Sequence, residues 1–504
     1  MEKNQRQESI SLNLSEENKR HSYDEALREA GFGKAQIAMM FLCGFALMSS
    51  ANESMGMGLI LPASQCDLDL DMTRKGIVGG AVFIGVLIST YYWGYQTDIR
   101  GRQTVLKITL LGATCCSFLA SFVNHFYLLV VLRFLVGLFI SAPGSAAIVY
   151  LGEFCPTNRR GQMITYACAI AGFGFAYVAV VASWILSYDW SFTIIESFAI
   201  RPWRLLFLIN SLPGFITGLV FWCYPESPRF LLAQGRHKEA LSVLRWLHRQ
   251  NRTDSFTVRE LQMEAYQRTP NNEPDQESDW FSQARTQISP LMKQPNSINI
   301  SVCCFQTATV YVAYGGLGLW FPQIMNLVFS TESTNERPIC EVMQSNSTSF
   351  KSIESSKTIE CVDRLQPETF IYTFALGAMC GGYTLLNSVF LTRYSEKTLI
   401  YVNLIAAGCA GIALQYVTNN YIVAILFCVE INVAAVCIIL VRSMQVSLFP
   451  TQVKATVVSL TALVGRIISN IVTGVLILQQ CTYTLYFIAG LLFASAGLNA
   501  LLQQ

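Results

Sequence analysis

Apolar residues in this chain come in long blocks rather than at the spacing of a one-sided helix or strand. Windows of about 20 mostly apolar residues, enough to cross a hydrocarbon core about 30 Å thick, occur twelve times. They fall near 37–61, 76–97, 104–123, 126–151, 162–186, 203–223, 298–328, 369–391, 398–417, 421–448, 455–478 and 482–502. Charged residues collect between them, in 1–35, 225–297 and 330–368. Such a pattern predicts an all-α membrane protein with twelve transmembrane helices. The first window follows a charged head (SYDEALREAGFGK, 22–34) and lacks a small-residue cleavage pattern, so it reads as a span and not as a removed signal peptide.

Six windows, a linking loop and six more windows predict two pseudo-symmetric six-helix bundles. The expected divisions are an N-terminal tail (1–36), a first bundle (37–223), a central loop with short helices (224–297) and a second bundle (298–502) carrying an insert (330–368). EFCPTNRRGQ (153–162) and SLFPTQVKAT (447–456) leave the fourth and tenth windows with the same Pro-Thr and a base four residues after the proline. That match favours duplication over a shared way of ending helices. In the central loop, Leu241, Leu244, Trp246 and Leu247 lie on a helix-length segment rich in Arg and Lys, while NNEPDQESD (271–279) reads as a polar linker.

Composition agrees with a bilayer protein: 52% of residues are hydrophobic and 13% charged, against about 25% charged in soluble domains. Lys and Arg concentrate in alternate links, with Arg100, Arg102, Lys107, Arg159, Arg160, Arg393, Lys397, Lys454 and the central loop on one side. By the positive-inside rule both termini are expected in the cytoplasm. The insert would then face outside or a lumen. There Cys340 and Cys361 are a candidate disulfide and Asn346-Ser347-Thr348 is a glycosylation sequon.

A charge near the bilayer centre costs about 2.5–3.5 kcal/mol and so needs a partner, a wet cavity or a task. Glu53, Arg133, Glu430, Arg442 and Arg466 fall inside windows. Glu53 and Arg133 lie seven or eight residues from the outer ends of their spans, about 10–12 Å deep at 1.5 Å per residue. Two readings stay open. In one, Glu53, Arg133, Glu430 and Arg466 face a substrate or proton cavity; in the other, Glu53–Arg133 and Glu430–Arg466 are permanent neutral pairs. Arg442 is expected to snorkel to the boundary. Tyr91, Tyr92, Trp93, Tyr311, Tyr314 and Trp320 supply an aromatic gate or an interfacial belt, the latter favoured for Trp93 and Trp320. Ser141-Ala142-Pro143-Gly144 and Pro213-Gly214 are expected to kink the fourth and sixth spans.

Between the second and third windows stands GYQTDIRGRQ (94–103). Gly94 would allow close helix approach, Gly101 a tight reversal, and Asp98 an ion pair, a latch that breaks when helices move. This stretch resembles the loop motif of the major facilitator superfamily at Gly94, Asp98, Gly101 and Arg102, and departs from it at Ile99 and Gln103. With ALREAGFGKAQ (26–36), RFLVG…EFCPTNRRG (133–161), WSF…RPWR (190–204), PESPRFLLAQGRHKEAL (225–241) and WFP (320–322), the chain is similar to the synaptic vesicle glycoprotein 2 and related-protein branch, near the organic cation and sugar transporters.

The resemblance implies a twelve-helix transporter fold with rocking-bundle alternating access, and a gating latch that includes Glu153 and Arg160. Three places depart from the branch: Ser50 replaces an acid, Ser447 replaces a counterpart of Glu153, and LTRYSEKT (391–398) lacks the Asp–Gly–Arg pattern. The expected function is secondary transport of a small organic solute, cationic or zwitterionic, coupled to protons or another ion. The alternative is a transporter-like vesicle or surface glycoprotein that binds partners without transport.

No nucleotide-binding P-loop is present, and the four histidines (His21, His125, His237, His248) lie outside the windows. An enzyme, a cofactor, a metal site and nucleic-acid binding are therefore not expected. A monomer in the plasma membrane or a secretory or synaptic vesicle membrane is.

Overall fold

The computed structural model describes residues 22–188, 190–195, 198–252, 258, 296–330, 338–341, 365–391, 393–449, 457–458, 460–466, 468–469 and 481–499. Among these, ten helices are long and apolar enough to cross a membrane. Lipid offers backbone groups no hydrogen-bond partner, so apolar runs of this length close their bonds internally as helices.

The first half contains α1 (Tyr23–Ala30), α2 (Lys34–Met55), α3 (Met57–Ala63), α4 (Met72–Arg100), α5 (Arg102–Ala120), α6 (Phe126–Ile140), α7 (Pro143–Phe154), α8 (Thr157–Gly172) and α9 (Gly174–Leu186), a short hairpin of β1 (Phe192–Ile195) and β2 (Phe198–Ile200), and α10 (Pro202–Val220). Two short helices follow, α11 (Pro228–Ala233) and α12 (His237–Asn251). The second half contains α13 (Asn296–Tyr311), a π-helical turn (Val312–Gly316), α14 (Leu317–Ser330), α15 (Pro367–Phe390), α16 (Glu396–Ala413), α17 (Asn420–Leu448) and α18 (Cys481–Leu498). Helix α16 occupies the ninth window. The eleventh is helical at 460–466, and its remainder from residue 470 lies outside the described residues, as do Pro450–Thr456 of the repeated motif.

Spans one, four and five are each two helices end to end, parted at Gly56, at Ser141-Ala142 and at Phe173. Proline removes a backbone donor and leaves the carbonyl four residues back unpaired. Around Pro143, side chains of other helices fill the gap: the Trp93 indole donates to Leu138 O at 2.6 Å and the Ser50 hydroxyl to Ile140 O at 2.8 Å. Trp93 therefore serves span four rather than a belt, and Ser50 has a structural task of its own. Trp320, also expected in the belt, is buried in the core at 4% exposure.

Span six differs from expectation, because α10 runs through Pro213 without a break. The carbonyl this proline orphans, Ile209 O, accepts the phenol of Tyr177 from α9 at 2.8 Å. Tyr177→Phe is expected to lower stability by about 1–2 kcal/mol, read as a lower thermal midpoint of the purified protein.

On one face, α1 lies in a groove with Tyr23, Ala26, Leu27 and Ala30 buried against Ala240, Val243, Leu244 and Leu247 of α12. A capping box of Ser22 and Glu25 starts α1. The Tyr23 phenol donates to Glu153 O, and burial pushes it well above the usual phenol range. Asn251 accepts from Ala35 N at 3.1 Å and donates to Gly31 O at 3.0 Å, tying the α1–α2 turn to the end of α12.

On the opposite face the RPWR segment anchors α10. Arg201 pairs with Asp67 at 2.6 Å, Trp203 donates to Asp67 at 2.7 Å, and Arg204 donates to Ser121 O and Val123 O in the α5–α6 turn.

The halves pack closely at two places, among other contacts between them. Gly377 of α15 abuts Ala176 of α9 so closely that an added Cβ would lie 2.1 Å from Ala176 N. Nearer the opposite face, Gly58 of α3 faces Leu319 O and Pro322 of α14. There the ammonium of Lys75 donates to Gln65 at 2.7 Å and across the seam to Gln323 at 3.3 Å.

Candidate functional site

Of the charges within the spans, Glu53 and Arg133 come together. Their side chains are 3% and 1% exposed, and Arg133 Nη1 lies 3.0 Å from Glu53 Oε2. The Ser117 hydroxyl donates to the same oxygen at 2.6 Å, Arg133 Nη2 donates to the Glu53 carbonyl, and the guanidinium sits over the Phe207 ring at 5.6 Å. Helices α2, α5, α6 and α10 supply these groups, all from the first half. The pair is a neutral, sequestered core element. Ser117 carries no sequence signal beyond being a polar residue in an apolar run.

The second expected pair does not form. Glu430 on α17 is fully buried, and among the described residues neither carboxyl oxygen has a hydrogen-bond partner. It faces the neighbouring α16 and α18: a Cβ on Gly411 would lie 2.9 Å from Glu430 Oε1, beside Ala489. Arg466 lies elsewhere, beside Tyr311 and Arg442, about three turns along α17 from Glu430.

Arg466 instead reaches the junction of the halves. Its Nη1 lies 3.4 Å from the Thr90 hydroxyl of α4, and its guanidinium carbon is 5.7 Å from the centroid of Tyr311. Arg442, expected to snorkel, turns inward, donating from Nη2 to the Tyr311 hydroxyl at 2.7 Å. Tyr311 ends α13 just before the π turn, and its carbonyl, freed there from regular helical bonding, accepts from Ser469 at 2.9 Å. Counting from the start of its span at Ser297, Tyr311 lies about 20 Å in, near mid-depth. Among the described residues neither Arg442 nor Arg466 forms an ion pair. Sequence reasoning had Tyr311 only as one of six aromatics and Arg442 as a boundary residue. The glycine pair at 315–316 that follows Tyr311 was the available signal for irregular helix there.

The loop motif splits in two. Arg102 lies 3.2 Å from Asp98 and its Nε 3.3 Å from Glu153 Oε2, while Glu153 also accepts from the Ser227 hydroxyl. Gly101 has φ +98°, a left-handed conformation that favours glycine, and an added Cβ there would lie 2.3 Å from Glu226 Oε2. Glu226 in turn accepts from Gln103 N at 3.0 Å, capping α5 where unpaired N–H groups and the helix dipole favour an anion. Gly94 is not a close-approach glycine, since an added Cβ would meet open space. Arg160 makes no ion pair with these groups among the described residues and packs its stem against Gly152. In the second half, among the described residues, the start of α16 is tied to the end of α17 by a hydrogen bond from the Ser443 hydroxyl to Glu396. Glu226 and Ser227 were missed because their roles depend on the central loop folding back.

The Cys340–Cys361 pairing is corrected. Cys340 is bonded to Cys481 at the start of α18, with Cα atoms 5.4 Å apart and 141 residues between them. Nearness in sequence suggested Cys361, but the fold brings the end of a distant span to the loop. Cys66 is disulfide-bonded too. Cys361 and the Asn346 sequon lie outside the described residues. Mass spectrometry of an unreduced digest is expected to find a peptide joining Cys340 to Cys481. Its absence, with Cys340 found in another linkage, would refute this pairing.

A family model described as Major Facilitator Superfamily matches residues 40–474. Synaptic vesicle glycoprotein 2C of Mus musculus is 28% identical over 357 residues, covering 66% of this chain and 48% of that protein. Synaptic vesicle glycoprotein 2A of Homo sapiens is 32% identical over 230 residues, covering 45% of this chain and 31% of that protein. The chain thus spans about half or less of the curated relatives it matches. A partially occluded inward-open structure of the xylose transporter XylE from E. coli superposes with a TM-score of 0.64 at 13% identity, covering 92% of this chain and 98% of that one. A crystal structure of a D-xylose-proton symporter gives 0.61 at 12%, covering 92% and 97%. At these identities the likeness is one of fold.

Proposed function

The chain belongs to the major facilitator superfamily, and from that premise we propose that it is a secondary carrier moving a small organic solute by alternating access, with the solute seated between the halves. The observation that supports this reading most is the convergence of Thr90 from the first half with Tyr311, Arg442 and Arg466 from the second within the spans. An expectation of a cationic or zwitterionic solute rested on Glu53 as a free carboxylate. With that group held by Arg133 and Ser117, the zwitterion is the half of the expectation that we keep. Coupling to protons or another ion belongs to the same reading, as does a monomer with both termini in the cytoplasm of a plasma-membrane or vesicle location.

Arg102, Asp98 and Glu153 would latch the cytoplasmic end of the first half, with Gly101 shaping the turn and Ser227 and Glu226 bracing it. The loss of the Asp–Gly–Arg pattern in LTRYSEKT (391–398) and of an acid at Ser447 favours the other reading, a binding glycoprotein that does not transport. Reconstitution of the full chain in liposomes decides between them. A mixed pool of cationic, zwitterionic and anionic metabolites is offered with and without a pH gradient. Accumulation of one class supports the carrier; a well-folded protein that admits nothing under any gradient refutes it.

A further inference from the structure

Resting on the carrier reading for its place in the fold, we propose that the seam between the halves contains an anion subsite, in which Arg442 and Arg466, set around Tyr311, clasp a carboxylate of the organic solute. Charges at this depth are costly unless compensated, and the chain treats its arginines in two ways. Arg133 is neutralised in place by Glu53, whose carbonyl also accepts from it and whose carboxylate accepts from Ser117 as well. Among the described residues Arg442 and Arg466 donate only to neutral oxygens, the Tyr311 phenol at 2.7 Å and the Thr90 hydroxyl at 3.4 Å. Arg442 Nε, like that of Arg133, is buried with no acceptor among the described residues; what sets Arg442 apart is the lack of an anion.

Glu430, the other ionisable group deep in α17, cannot serve them. It lies about three turns earlier on that helix and faces α16 and α18. Two guanidinium groups around one phenol therefore form a positive site to which no described residue supplies a counter-charge. A guanidinium presents a planar fork of donors that matches the two oxygens of a carboxylate, and the Tyr311 ring gives an apolar body something to lie against. Because Thr90 comes from the first half and the arginines from the second, a bound carboxylate would touch groups that move relative to one another during transport. A zwitterion or simple carboxylate fits; a bare cation does not.

The test uses the full-length protein in detergent, melted at constant chloride and ionic strength with sodium acetate, sodium benzoate, choline or glucose as probes. Acetate and benzoate are expected to raise the midpoint of the wild type, and choline and glucose to leave it unchanged. Arg442→Gln and Arg466→Gln should each need about tenfold or more acid for the same shift, which is the loss of one charge-assisted contact. Failure of both acids on the wild type, or glutamine variants that respond as the wild type does, overturns the subsite. Should a glutamine variant not melt cooperatively, Arg466→Lys keeps the charge and loses the fork; an acid response unchanged in that variant also overturns it.

Uptake in liposomes separates this inference from the carrier reading. Acid binding lost in the glutamine variants, with no uptake of any solute by the wild type, sinks the carrier and leaves the subsite standing. Uptake that both glutamine variants retain does the reverse.

Discussion

Glu53→Gln is expected to destabilise the protein by roughly 3–5 kcal/mol, the range for removing one partner of a buried ion pair. The variant leaves Arg133, 1% exposed, with a full charge and no anion. Guanidinium cannot shed its proton in a protein, whereas a carboxyl can become neutral by taking one up. Arg133→Gln should therefore be the milder of the two single variants, because the orphaned Glu53 has a way out. Glu53→Gln combined with Arg133→Gln should recover much of the loss, with a coupling of at least about 1 kcal/mol in a double-mutant cycle. Thermal midpoints of the four proteins in detergent check both the order and the coupling. A carboxylate reserved for substrate would behave otherwise. Glu53→Gln would then melt like the wild type and lose only uptake.

Comparable damage is expected from a single methyl group at Gly137. A Cβ there would lie 2.0 Å from the carbonyl oxygen of Val82, and one on Gly85 would lie 2.2 Å from that of Phe134. Helices α4 and α6 touch backbone to backbone, a packing that only the smallest side chain permits. The neighbours in the way are main-chain atoms, so no rotamer change relieves the clash and the helices must part. Parting them strains the Trp93–Leu138 and Ser89–Ser141 bonds beside the break in span four, the latter 2.7 Å long. Gly137→Ala should cost at least about 3 kcal/mol, the upper end of overpacking losses, and Gly137→Val should yield little folded protein. Gly94→Ala is the control. Its Cβ meets open space, so a midpoint close to wild type, within about 0.5 kcal/mol, is expected. Equal losses at positions 94 and 137 would refute this account of the packing.

The contrast between these glycines marks how far the sequence reached. Gly94 belongs to a recognisable motif and carries no packing load; Gly137, within the RFLVG run, gives no sign that it meets Gly85 fifty-two residues earlier. Asp98, Gly101 and Arg102 were legible as a cluster because helix and turn geometry act over a few residues. Glu226, which caps α5 from beyond the sixth span, was not.

Spans, their approximate ends, the division into halves and the family were determined by sequence alone, since each follows from local properties: the cost of burying charge in lipid, the length of a bilayer, and motifs read within one loop. Which charges meet was decided only in three dimensions. Glu53 and Arg133 are 80 residues apart and pair because four helices present their inner faces at one depth. Glu430 and Arg466 do not pair, because Arg466 sits with Arg442 at Tyr311, about three turns along α17 from Glu430, and Glu430 is turned toward α16 and α18. Depth is written in residue count; rotation about the helix axis is set by packing against neighbours. That rotation directs Arg442 to Tyr311 rather than to the boundary, while the packing of distant segments brings Cys340 to Cys481.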